Sequence, residues 1–91
     1  MLSRRYLVAG NVQGVAFRYY TRAEAHRLKI TGWCRNLEDG STVEIYAKGL
    51  HKSLNLFEQW LQHGSPASKV SAVKKYDLSH DISVDTFEIV S

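Results

Sequence analysis

Two polar residues in this chain occupy positions from which chemistry could be done. Arg18 ends a segment with two glycines, Gly10-Asn11-Val12-Gln13-Gly14-Val15-Ala16-Phe17-Arg18, and Asn36 stands just ahead of an Asp-Gly pair. Gly14 can take a positive φ, which turns successive backbone N–H groups into one concavity. The segment then passes into a helical pattern, whose N-terminus adds partial positive charge and unpaired donors. A guanidinium at that point offers a bidentate fork to a phosphate. Together these features describe an oxyanion site. It is not a nucleotide P-loop, because Gly-x-x-x-x-Gly-Lys-Ser/Thr is absent. From spacing alone, a glycine-containing turn followed by a surface arginine would look the same. Asn36, read in the same way, is a turn-former bonding its own backbone.

The charge distribution favours an anionic ligand for the first third of the chain. Residues 1–35 hold Arg4, Arg5, Arg18, Arg22, Arg27, Lys29 and Arg35 against the single acid Glu24, a balance of about +6 within an overall +3. A solvated basic face would carry the same charges. The single cysteine, Cys34, rules out an internal disulfide and fits a reducing compartment, so the cytoplasm is expected. His26, His51, His63 and His80 are scattered without close metal-ligand spacing, so a structural zinc site is not expected, and no cofactor is expected. No apolar run approaches the roughly 20 residues of a membrane span. The start, Met1 to Tyr6, runs directly into strand-like sequence rather than a leader, and no membrane partner is expected.

The elements that must hold Arg18 and Asn36 follow from periodicity. With 91 residues the chain suits one domain, 1–91. Residues 4–9 read as a central strand, apolar on both faces. Phe17, Thr21, Ala25 and Leu28 share one face of a helix that stops near Lys29. Residues 30–36 and 42–48 are strands joined through the Asp39-Gly40 turn into a hairpin. Leu50, Leu54, Phe57 and Leu61 mark one face of a second helix, which Gly64 and Pro66 end. Residues 70–78 read as a strand, 79–85 as a polar loop and 86–90 as a short last strand. Each helix has one apolar stripe. The expected fold is therefore α+β: a ferredoxin-like two-layer sandwich, β-α-β-β-α-β with a short final strand, and two helices on one face of an antiparallel sheet.

Such a fold hosts many functions, so function has to come from the site. The segment Gly10-x-Val12-Gln13-Gly14-Val15-x-Phe17-Arg18 resembles the signature of the acylphosphatase family. Gly32-Trp33-Cys34-Arg35-Asn36-Leu37-x-Asp39-Gly40 resembles that family's second block. Weaker likeness continues through Val43-Glu44 to Gly49, Phe57, Trp60-Leu61, Gly64-x-Pro66 and Phe87-Glu88-Ile89, so the resemblance spans the chain. It implies metal-free hydrolysis of carboxyl–phosphate anhydrides, without a phosphoenzyme. Arg18 and the backbone amides of Gln13, Gly14, Val15, Ala16, Phe17 and Arg18 would hold the phosphoryl group. Asn36 would orient the attacking water. A small-molecule acyl phosphate would be the substrate, with no nucleic-acid partner and a monomeric enzyme.

The chain departs from the family pattern in several places. Lys29 stands where the family often has Gly, which implies a helix cap in left-handed geometry. The hairpin after Asn36 is one residue longer than usual, and a bulge near Ser41 or Thr42 is expected. Ala16 fills a variable position, and Cys34 replaces a small apolar residue and reads as a buried hydrophobe. Two other function classes share the element order. An RRM-like module binding single-stranded RNA would use Tyr6 and Tyr46 on the first and third strands, although the third strand does not match the aromatic RNA-binding motif. A regulatory domain that binds an anion without turning it over would use the Arg18 loop alone.

Overall fold

The computed structural model describes residues 1–90. The order of elements is β1 (Leu2–Asn11), α1 (Phe17–Arg27), β2 (Thr31–Asn36), β3 (Thr42–Gly49), α2 (His51–His63), β4 (Lys69–Asp77) and β5 (Phe87–Ile89). The strands form one sheet in the order β4-β1-β3-β2-β5. The ferredoxin-like α+β architecture is the expected one, but the sheet is mixed. β5 runs parallel to β2, with Gly32 opposite Phe87 and Cys34 opposite Ile89. The reason is the connection after β4. Residues 78–86 carry the chain across the sheet to its far edge, and β5 enters from the same end as β2. β1 is interior as expected, paired on one side with β3 and on the other with β4.

Register assigns every strand residue to a face. Tyr6 lies opposite Ile45, and Ile45 opposite Cys34, so these three share one side; Arg5, Tyr46 and Trp33 share the other. The first side is the core. Tyr6, Val8, Val43, Ile45 and Phe87 are buried there against Phe17 and Ala25 of α1 and Leu54, Phe57 and Leu61 of α2. Thr21 can join this apolar layer because its hydroxyl donates to the Phe17 carbonyl at 2.8 Å. Leu50 does not join it. It caps α2 in extended geometry and is 60% exposed, so the apolar stripe of that helix begins at Leu54.

Tyr6 decides one alternative. Its ring packs edge-on against Phe57 beneath α2, and its hydroxyl donates to Glu58 at 2.7 Å. Burial, and then the adjacent Glu58 carboxylate, push the hydroxyl far above its usual pKa. Tyr6 and Tyr46 therefore lie on opposite faces of the sheet, and the paired stacking platform of an RRM-like module is not formed.

Two arginine clusters brace the sheet. On the helix side, Arg4 pairs with Glu58 of α2 and with Asp77 of β4 at 3.0 Å, while Lys75 reaches Glu58 at 3.4 Å. On the open side, Glu44 is only 4% exposed and is gripped by Arg5 and Arg35, each at 2.7 Å. Burial alone would raise the Glu44 pKa; the hydrogen bonds from Arg35 and Arg5 outweigh it and hold the carboxyl below its ordinary range.

Candidate functional site

The loop carrying Arg18 starts at a break in the sheet. The β1–β4 register shifts between Ala9 and Gly10. Gly10 has φ 137°, and a Cβ there would collide with the Lys69 carbonyl, so only glycine lets the chain leave the ladder at this point. Val12 then anchors the loop in the core, while Gly14 turns left-handed at φ 75°. Ala16 is also left-handed, at φ 59°, and caps α1. Nothing in the sequence marks Ala16 for that geometry, which costs a residue with a Cβ about 1–2 kcal/mol.

This alternation leaves donors free. Gln13 to Ala16 form a turn, and among the described residues no backbone N–H from Gln13 to Tyr19 makes a close, well-aligned bond to a carbonyl; the first such helical bond is Tyr20 to the Ala16 carbonyl at 3.1 Å. α1 has no side-chain cap and no acid in its first turn. The donors of a helix N-terminus and of a left-handed nest thus stand unclaimed at one spot. A cavity of about 150 Å³ opens there, lined by Val12, Gly14, Ala16, Phe17, Arg18, Tyr19 and Ile89. The loop residues Gly14, Ala16, Phe17 and Arg18 border it. Gln13 and Val15 do not: Val15 packs inward on the core, and Gln13 points elsewhere.

The charges at the site are also unclaimed. Arg4, Arg5, Arg27 and Arg35 are all consumed in ion pairs. Among the described residues, Arg18 and Arg22 are in none. The basic surplus of the first third thus resolves into four paired arginines, Lys29 at the end of α1, and the guanidinium groups of Arg18 and Arg22 on α1, which are in no ion pair among the described residues.

Asn36 ends β2 on the core-facing side, in register with Val43. It does not line the 150 Å³ cavity. Cys34, two residues earlier on the same face, touches the Arg18 carbonyl through its thiol at 3.9 Å, and Asn36 lies about 7 Å further along the strand. The side chain of Asn36 makes no hydrogen bond within the described residues, and its Oδ1 is buried without a donor. The turn-forming duty belongs to Asp39. Its carboxylate accepts from the amides of Ser41 and Thr42, each at 2.9 Å, and from the Thr42 hydroxyl at 2.6 Å. The Thr42 hydroxyl, then the Ser41 amide, hold the Asp39 pKa below its usual value. The extra hairpin residue is therefore absorbed in the loop that Asp39 organises. The β2–β3 register runs unbroken to Asn36 opposite Val43, and the bulge expected near Ser41 or Thr42 is absent.

Sequence reasoning missed the side chain of Gln13. Its Nε2 donates to the carbonyls of Leu37 and Thr42, both at 2.9 Å. These carbonyls close the mouth of the hairpin directly after Asn36, so Gln13 ties the cradle to the strand end that carries Asn36. The only signal was the glutamine within the first motif, whose amide could find partners in many ways. Cys34 is the expected buried hydrophobe; burial pushes its thiol up to about 12, with Arg18 and Arg22 pulling weakly the other way. No group of three or more His, Cys, Asp or Glu able to hold a metal occurs among the described residues, and no helix is long and apolar enough to cross a membrane.

Comparison with known proteins agrees with this geometry. The family model described as Acylphosphatase matches residues 4–89. The Acylphosphatase of Bacillus licheniformis is 55% identical over 74 residues, 81% of each chain. The Acylphosphatase of Mannheimia succiniciproducens is 38% identical over 98% of each chain. The crystal structure of acylphosphatase from Bacillus subtilis superposes over 100% of both chains with a TM-score of 0.95 at 40% identity. With the free-amide loop, Arg18 and Asn36 set at one end of the same fold, the chain belongs to the acylphosphatase family and is an enzyme of that kind.

Proposed function

We propose that the chain hydrolyses acyl phosphates by in-line attack of a water that Asn36 orients, on a phosphoryl group held by Arg18 and the loop amides. The observation that carries this reading is the buried Oδ1 of Asn36, an acceptor with no protein donor. A buried acceptor left unmatched costs about 1–3 kcal/mol, and a water donating one hydrogen to it removes that cost. Such a water turns its lone pair toward whatever the neighbouring cradle holds.

The chemistry asks for little more. The water oxygen bonds to phosphorus as the bridging P–O bond breaks, and its electron pair leaves on the carboxylate. The water proton passes to solvent or to the released phosphate. Carboxylate is a good leaving group, so a strong base or a Lewis acid is not required. Negative charge spreads over the phosphoryl oxygens in the transition state, where the Arg18 fork and the fixed amides act without reorganising. Holding water and phosphoryl group in line supplies the rest.

The test is phosphate release from benzoyl phosphate with EDTA present. The wild type should turn over, and Asn36→Ala should lower kcat by about 10²–10³ with a smaller change in KM. A wild type without activity overturns the reading, as does an EDTA-abolished activity. An Asn36→Ala variant with full kcat removes the water-positioning role.

A further inference from the structure

Arg22 is used neither by the cradle nor by the fold. It follows Arg18 by one helical turn, so their Cβ atoms are about 6 Å apart. Both guanidinium groups lack an ion pair among the described residues, whereas Arg27, five residues after Arg22, has Glu24 at 2.6 Å. Two like charges at this spacing repel, at a cost of a few tenths of a kcal/mol in the free protein. Tyr19, the residue after Arg18, has the Arg22 guanidinium 5.4 Å from its ring centroid.

Tyr19 also joins two hollows. On one side is the cavity that Arg18 and Ile89 line; on the other is a groove of about 400 Å³ between α1 and β5, bordered by Arg22, His26, Phe87 and Glu88. His26 is fixed at its lower end by a 3.2 Å contact between Nε2 and the Phe87 carbonyl. The groove therefore adjoins the cavity beside Arg18, the two sharing Tyr19, with a cation free of ion pairs among the described residues on its wall. Glu88, exposed on the opposite wall, is its one carboxylate.

We infer that this groove receives the acyl part of the substrate and that Arg22 selects acyl phosphates carrying a second anionic group, a carboxylate or a phosphate, on the acyl chain. The inference rests on the hydrolase reading of the Arg18 site. A ligand with two anions would relieve the Arg18–Arg22 repulsion, which a simple acyl phosphate relieves only at Arg18.

The experiment compares kcat/KM for benzoyl phosphate with the better of 3- and 4-carboxybenzoyl phosphate. These matched rigid substrates differ in one carboxylate. The wild type should favour the carboxylated substrate by about fivefold at low ionic strength, and added salt should erode the preference. Arg22→Gln should abolish the preference while changing benzoyl phosphate by less than about twofold, and Arg22→Lys should restore most of it. Glu88→Gln should raise the preference. Equal ratios in wild type and Arg22→Gln overturn the inference while the hydrolase reading stands. Absence of benzoyl phosphate turnover by the wild type overturns the hydrolase reading, and the inference with it.

Discussion

Arg4 and Arg18 make opposite uses of the same side chain. Arg4 lies inside the α2–β1–β4 corner with Glu58 and Asp77 as partners, and removing it would leave two carboxylates short of their cation. Arg18 borders a hollow ringed by unclaimed amides and touches no carboxylate among the described residues. One corner is electrostatically closed and the other is left open. Arg4 and Glu44 are satisfied within the fold, whereas Arg18 has no ion pair and Asn36 Oδ1 no donor among the described residues, as the proposed phosphoryl and water sites require.

Substitutions in the two corners should separate cleanly. The largest expected effect is on chemistry: Arg18→Ala should lower kcat/KM for benzoyl phosphate by about 10²–10³ or more, with stability in urea changed by less than about 0.5 kcal/mol. Arg4→Met should do the reverse, costing about 2–3 kcal/mol in urea titration while kcat/KM per folded molecule stays within about twofold. If Arg4→Met instead removed activity without loss of stability, the contrast would collapse. Glu44 sharpens the closed side. Its folded pKa lies below the unfolded one, so the stability it contributes is present above the ordinary carboxylate range and is lost as pH falls through the depressed value. Glu44→Gln should cost about 1–2 kcal/mol at neutral pH and flatten that part of the acid stability profile.

Smaller effects probe what holds the open corner in shape. Gln13→Ala leaves the Leu37 and Thr42 carbonyls without their shared donor and should lower kcat about tenfold, with KM less affected, as expected of a positioning residue. Equal loss in kcat and in stability would make Gln13 a fold brace only. The two ends of α1 supply the mildest test. Ala16 and Lys29 are both left-handed, and glycine at either should raise stability by about 0.5–1 kcal/mol in urea titration.

What the sequence made legible follows from how local each cause is. The apolar stripes of Phe17-Thr21-Ala25-Leu28 and Leu54-Phe57-Leu61 forecast the buried faces because helix periodicity is a short-range property. Lys29 at its cap was legible from its departure in the motif. It closes α1 in a Schellman arrangement, with Ile30 N–H bonding the Ala25 carbonyl at 2.8 Å and Lys29 N–H bonding His26 at 3.1 Å. Longer-range facts were hidden. The parallel pairing of β5 depends on the path of residues 78–86, and the faces of Tyr6 and Tyr46 depend on register between β1 and β3. At the site, Arg18 and Gly14 had physical signals of their own. The freedom of Asn36 could not be inferred, because it depends on Asp39 taking the turn hydrogen bonds and on Gln13 reaching across from another element.

The short parallel strand β5 has a consequence for motion. It is only three residues long and lies at the sheet edge, yet Ile89 lines the cavity beside Arg18 and Phe87 the neighbouring groove. Beyond its own ladder it is fastened by the Thr86 carbonyl to Gly32 N–H and by Val90 N–H to the Cys34 carbonyl, each at 2.9 Å. In hydrogen-exchange terms, the amides of this edge strand should be less protected than those of the interior strands β1 and β3. One wall of the proposed acyl groove is thus a short edge strand, so if that proposal holds, substrate occupancy should slow exchange at β5 more than anywhere in the central strands.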